Sequence, residues 1–203
     1  MMKNIFFLDV DTQRDFMLAA GALYVPGAER MIPKLRRIFD FARKNEISIL
    51  SSADAHVAND PEFKQFPPHC VQGTEGQRKL DETLLPRPLT FQNKLVDRNF
   101  ADVVKRHQQI IVEKQSLDLL SNPVAERLLR VLPPRAIVFG VTTEYCVKYA
   151  CLGLRRMGIQ TALVTDAVRA LAPKTEKEAM EEMQKAGLLS RLVECRHGET
   201  LEV

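Results

Sequence analysis

Five short runs of β-branched and other apolar residues, separated by stretches with helical spacing, limit this chain more than any other feature. The runs are Ile5 to Val10, Ile47 to Ser51, Gln109 to Val112, Ala136 to Phe139 and Thr161 to Val164. Each is short and largely apolar, the pattern of a strand covered on both faces in a parallel sheet. Between them, Ile32, Leu35, Phe39 and Ala42 form one apolar stripe, and Val147, Ala150, Cys151, Leu154 and Met157 form another, both at helical spacing. Alternating strand and helix predicts an α/β fold: a doubly wound, mostly parallel sheet flanked by helices, with right-handed crossovers. A last strand is expected near Leu192 to Cys195, after a helix whose start reads as the capping box Thr175-x-x-Glu178. With 203 residues, one domain spanning 1–203 is sufficient.

Ala53 to Phe100 interrupts the alternation. It holds Pro61, Pro67, Pro68, Pro86 and Pro88 and little periodicity, and reads as a long excursion of the kind that builds functional sites. Apolar residues at 45% and charged residues at 27% fit a compact globular protein and exclude a disordered one. The net charge of +3 is spread among nearly equal acids, and the densest basic stretch, Lys34-Leu-Arg36-Arg37, reads as the wet side of a helix. No concentrated basic face suggests a nucleic-acid partner. The apolar start, Ile5 to Leu8, reaches Asp9 too soon for a signal peptide or membrane span, so a cytoplasmic protein is expected. Cys70, Cys146, Cys151 and Cys195 contain no CxxC pair, which argues for free thiols.

In open α/β sheets, ligands bind beyond the carboxyl ends of the strands. All five ends here carry a chemically capable group. After the first comes Asp9-Val-Asp11-Thr-Gln-Arg-Asp15-Phe16, after the second Asp54-Ala-His56, after the third Lys114, after the fourth Thr142 to Cys146 and after the fifth Asp166. Asp166 reads as a turn or cap residue. Cys146 falls near a helix start, where unpaired N–H groups and the helix dipole favour a thiolate; the other reading is a buried structural cysteine. A cysteine amide hydrolase also needs a group to take the thiol proton and return it to the leaving amine. Asp11 and Lys114 supply a carboxylate and a cation if both converge on Cys146, and Asp9 or Asp15 replaces Asp11 only by a shift of register. Lys114 alone equally suits a solvated strand end. Asp54, His56 and His69 suit zinc, iron or manganese, with Glu62 as a fourth or water-mediated ligand, although chance loop polarity explains the spacing as well. His107 and His197 have no such partners.

Taken together, these segments resemble the nicotinamidase branch of the isochorismatase-like cysteine hydrolases over nearly the whole chain. Asp11-Thr-Gln13-Arg-Asp15-Phe16 is similar to that family's opening acidic motif, Asp54-Ala-His56 with Pro67-Pro-His69-Cys-Val-Gln-Gly73-Thr74 to its metal loop, and Gly140 to Val147 to its nucleophile motif. Lys114 stands where the family has a catalytic lysine. The resemblance implies the isochorismatase-like hydrolase fold and a triad of Asp11 as general base and acid, Lys114 supporting the ionised state and Cys146 as nucleophile. It also implies a cis peptide near Val141-Thr142 and an oxyanion site from the backbone N–H groups of Thr142 and Cys146. It further implies a divalent metal, zinc or iron, held by Asp54, His56 and His69, and a small-molecule amide seated between Phe16 and Phe66.

The activity implied is conversion of nicotinamide to nicotinate and ammonia through a cysteine thioester, in a protein that is often a homo-oligomer. Three departures bear on the substrate. Ala55 stands where an aromatic is common, Phe66 fills the usual indole position, and Gln115-Ser-Leu-Asp-Leu-Leu120 lacks the aromatics common there. The alternatives are a related hydrolase of another small amide or carbamoyl compound, and a catalytically silent interaction module of the same fold.

Overall fold

The structure, a computed structural model, describes residues 4–188. Among the described residues, six strands form one sheet: β1 (Phe6–Val10), β2 (Ile49–Asp54), β3 (Leu89–Phe91), β4 (Gln109–Lys114), β5 (Arg135–Val141) and β6 (Gln160–Arg169). Their order is β3-β4-β2-β1-β5-β6, and every neighbouring pair is parallel. The helices are α1 (Arg14–Met17), α2 (Ile32–Lys44), α3 (Phe100–Arg106), α4 (Ala125–Leu129), α5 (Lys148–Arg156) and α6 (Pro173–Lys185). Among the described residues, no helix is long and apolar enough to cross a membrane.

Side-chain alternation along the strands builds two cores. Phe6, Leu8 and Val10 of β1, with Ala136 and Val138 of β5, meet Phe100 of α3, Leu128 of α4, Leu154 of α5 and Met183 of α6. Phe7, Ile137, Phe139 and Val141 face the other way, onto Phe16 of α1 and Leu35, Ile38, Phe39 and Ala42 of α2. Helices thus cover both faces, which is why the strands read as continuous apolar runs. The ring of fully buried Phe139 lies edge-on to Phe7 and to Phe39, each at 6.1 Å between centroids. Phe139→Ala is expected to destabilise the protein by about 3–5 kcal/mol, read from urea denaturation, because a packed core refills only part of such a cavity.

Several expectations need correction. The second and third strands end later than expected, so Asp54 and Lys114 are the last residues of β2 and β4. Asp166 is neither turn nor cap: it lies inside β6, which runs to Arg169, and it pairs with Lys34. The helix near Thr175 starts at Pro173, after Ala172, and Thr175 donates from inside the first turn to the carbonyl of Ala172 and to Glu144. Proline supplies the start that the capping box was expected to supply. The excursion contains the three-residue strand β3 at the sheet edge, which its polar, proline-rich setting concealed. The strand expected at Leu192 to Cys195, like Cys195 and His197, lies outside the described residues.

The chain leaves β4 on one side of β1 and enters β5 on the other, so the strand order reverses at β1. That opens a crevice beyond the carboxyl ends of β1 and β5. Gly140 permits the close approach there. Its φ is 121°, and a Cβ on it would stand 2.0 Å from the carbonyl oxygen of Val10, the residue before Asp11.

Candidate active site

Four strand ends deliver their last polar groups to this crevice. Asp54 and Lys114 are register partners on β2 and β4, which sets their side chains on one side of the sheet. Asp11 follows β1 with φ 48°, a left-handed backbone conformation that turns the chain off the strand. After β5, the Val141–Thr142 peptide is cis, and Thr143–Val147 forms a wide π-type turn that carries Cys146 before α5 begins.

These groups meet. The Lys114 ammonium forms an ion pair with Asp11 Oδ2 at 2.9 Å and donates to Asp54 Oδ1 and to Cys146 Sγ at 3.4 Å. Ser52 Oγ donates to Asp11 Oδ1 at 2.6 Å and accepts the Asp11 backbone N–H at 3.3 Å, fixing that carboxylate. Asp11, Asp54, Lys114 and Cys146 are all buried. Burial pushes the Asp11 carboxyl above its ordinary value; Lys114 pulls the other way and Asp54 adds to the rise. Burial also opposes a charged Lys114, but the facing Asp11 and Asp54 overturn that and hold it protonated. The Cys146 thiol is pushed well up by burial, with Lys114 countering and Asp11 and Asp54 reinforcing. The thiolate expected from a helix start is therefore not the resting form. A protonated thiol beside a raised carboxylate is instead arranged to lose its proton as it attacks.

The histidine cluster lies on the other side of Asp54. His56 and His69 are brought together because residues 56 and 71 bridge like strands: His56 donates its N–H to the Cys70 carbonyl at 3.1 Å, and Gln72 donates to the His56 carbonyl at 2.9 Å. His56 Nε2 stands 3.8 Å from Asp54 Oδ2 and 3.9 Å from Glu62 Oε1; His69 Nε2 stands 3.9 Å and 3.8 Å from the same two atoms. His69 Nδ1 donates to the Pro67 carbonyl at 2.8 Å, and His56 Nδ1 lies 3.0 Å from Asp60 Oδ2. Each outer nitrogen is thus held by an oxygen, an arrangement that turns the other nitrogen toward a metal.

The donor set fits a divalent ion. His56 Nε2 is buried without a hydrogen-bond partner, and Asp54, His56 and His69 offer ligand atoms within 4.8 Å of one another. Two imidazoles with carboxylates suit zinc or iron. Burial works against a charged His56, but Asp54, Asp60 and Glu62 prevail and raise it to about 9. Three acids around one imidazole are the mark of a site that receives a cation.

A small cavity of about 20 Å³ joins the two clusters. Phe16, Phe66, Leu23, Leu117, Tyr145 and Leu171 form its apolar walls, and Asp54, Glu62, His69, Thr142 and Cys146 its polar points. Phe16 lies 5.3 Å from the His69 ring, and Phe66 meets Tyr145 edge-on at 5.4 Å. The two alternatives to Asp11 are engaged elsewhere. Asp9 pairs with Lys79 at 2.9 Å, and Asp15 accepts the N–H of Cys70 at 2.7 Å and of Ala22 at 3.0 Å.

Sequence reasoning missed Ser52, Gln13, Asp60 and Tyr145. Gln13 brackets Asp54, accepting its N–H at 2.7 Å and donating to its carbonyl at 2.8 Å. Ser52 was within reach, because a period of two sets it on the strand face of Asp54.

The same fold recurs in known proteins. The isochorismatase domain pattern matches residues 6–191. The nicotinamidase of Escherichia coli (strain K12) is 29% identical over 206 residues, covering 88% of this chain and 90% of its own. The structure of the pyrazinamidase of Pyrococcus horikoshii in complex with zinc superposes with a TM-score of 0.74 at 27% identity, over 93% of this chain and 98% of that one. N-carbamoylsarcosine amidase from Thermoplasma acidophilum shares the fold, with a TM-score of 0.73 at 17% identity over 96% and 99% of the two chains. Since the match runs from β1 to beyond α6, the chain belongs to the isochorismatase family.

Proposed function

We propose that this protein hydrolyses nicotinamide to nicotinate and ammonia through a thioester on Cys146. The observation that carries the reading is one pocket lined both by Cys146, which Lys114 joins to Asp11, and by Asp54, Glu62 and His69 of the His–carboxylate cage. Similarity to the Escherichia coli nicotinamidase supports the substrate, and a chain of one domain, 1–203, acting in the cytoplasm is part of the same reading.

Asp11 takes the thiol proton as Cys146 Sγ attacks the amide carbon. The backbone N–H groups of Thr142 and Cys146 receive the developing oxyanion, a contribution of about 3 kcal/mol per donor in comparable sites. Asp11 then returns the proton to the departing ammonia, draws one from the water that opens the thioester, and passes it to Cys146 Sγ as the sulfur leaves. Lys114 stays protonated throughout and offsets the charge on Asp11. Phe16 and Phe66 flank the ring, where aromatic faces favour stacked or edge-on contact. Asp54, His56 and His69, with Glu62 as fourth donor, would hold zinc or iron, which would supply a Lewis acid for the pyridine nitrogen.

Ammonia release from a panel of nicotinamide, pyrazinamide and carbamoyl compounds tests the reading. Nicotinamide is expected to give the highest kcat/KM, and stripping the metal with a chelator is expected to raise KM for the pyridine amide. Preference for a carbamoyl compound would replace the substrate while leaving the chemistry of Cys146 intact. Failure on every compound would favour a substrate outside the panel or a silent module.

A further inference from the structure

Two cation cages share the carboxylate of Asp54. Its Oδ2 faces His56, His69 and Glu62, whereas Oδ1 turns into a second group made with Asp11 and Cys146. The ligand atoms of Asp11, Asp54 and Cys146 lie within 4.8 Å of one another, and all three residues are buried. Two carboxylates and a thiol in a dry site are a donor set for zinc and similar ions. A metal in the first cage is therefore one carboxylate away from a second set of ligands, and a metal–thiolate bond there would take the sulfur out of the reaction.

The Lys114 ammonium already stands among those three donors, 2.9 Å from Asp11 Oδ2, bonded to Asp54 Oδ1 and 3.4 Å from Cys146 Sγ. It has donors but no vacant orbital or lone pair, so it neutralises the carboxylates without tying up the sulfur. Being tethered to β4, it does not exchange with ions in solution. We infer that Lys114 acts as a built-in cation that closes the Asp11–Asp54–Cys146 cage to metal ions, and that its removal converts the triad into a second metal site. This rests on the reading of Asp54, His56, His69 and Glu62 as a metal site. If Lys114 served only to balance charge, a proton on Asp11 or Asp54 would replace it and no second site would open.

Cobalt(II) is the probe, because its bond to a thiolate gives a strong near-ultraviolet charge-transfer band. Full-length wild type is expected to bind a single equivalent and to show no such band even in excess cobalt. Lys114→Ala is expected to take up a second equivalent with the band, and the double variant Lys114→Ala, Cys146→Ser to lose the band, which excludes Cys70, Cys151 and Cys195 as its source. A Lys114→Ala protein with wild-type stoichiometry and no band would overturn the inference alone, and wild type that binds no cobalt would overturn the first cage with it. The wild-type arm stands even if the variant does not fold: a sulfur–cobalt band from Cys146 with Lys114 in place would refute the exclusion.

Discussion

Cys146→Ala is expected to lower amide hydrolysis by about 10⁴-fold or more in kcat, with bound metal and fold unchanged. In the proposed reaction the sulfur forms the covalent intermediate, and removing a nucleophile from a concerted triad costs about as much as removing the whole unit. What survives is the residual effect of the oxyanion donors and of ring orientation. Metal content should stay at the wild-type level, because Cys146 is not among the residues around His56 and His69. Cys146→Ser is expected to be nearly as inactive. The Cys146 thiol is held protonated by burial, so attack depends on proton transfer to Asp11, and a hydroxyl is a far weaker acid than a thiol. Ammonia release by each variant, beside metal analysis and a thermal melt, checks the assignment. Alanine protein that keeps a tenth of the wild-type rate would remove Cys146 from the chemistry.

The sheet was legible because burial on both faces leaves little freedom in sequence: β1, β2, β4, β5 and β6 each contain an apolar run that needed no tertiary information. What escaped lies where tertiary pairing overrides local preference. Asp54 and Lys114 close β2 and β4 as strand residues because each is the other's partner across the ladder, a fact absent from either segment alone. β3 is three residues long at an edge and carries too little pattern to be seen. The same logic governs the site. Asp11, Lys114 and Cys146 were placed by strand ends and by resemblance, but the state of the thiol was not, since dipole arguments see only the turn and not the depth at which it sits. Glu62 was noted only as a fourth or water-mediated ligand and lies within 3.9 Å of both imidazole nitrogens, which a loop with no periodicity could not specify.

Asp54 deepens the interpretation of the pocket. It is bracketed by Gln13 through its own backbone, gripped by Lys114 at one oxygen and turned to the histidines by the other. Burial would raise its pKa, but Lys114 and His56 hold it below the ordinary value. A carboxylate shared by the two clusters fixes their spacing, and with it, under the proposed function, the distance between a ring held at one end and an amide carbon presented at the other.

Asp11→Asn is expected to cost about 10²–10⁴-fold in kcat, the usual worth of a positioned general base, and to change the shape of the pH profile. Asparagine keeps the volume and can still accept from Ser52 Oγ, so the loss reads proton transfer and not packing. Burial raises the Asp11 pKa above the ordinary carboxylate value; Lys114 opposes the rise and Asp54 reinforces it. The working form is ionised. Below its pKa Asp11 already carries a proton and has no room for that of Cys146, so kcat/KM falls as pH drops through that value and recovers as pH rises. The acid limb of the wild type should accordingly lie above the range of an ordinary Asp, about 3.9. In Asp11→Asn that limb should vanish, leaving a low rate that no longer rises across the window. Glu62 is the competing source, as burial and Asp54 raise it too. Metal coordination would pull Glu62 far down, so loading the first cage should leave the limb in place if it belongs to Asp11. An unchanged acid limb in the asparagine variant would transfer the base role away from Asp11.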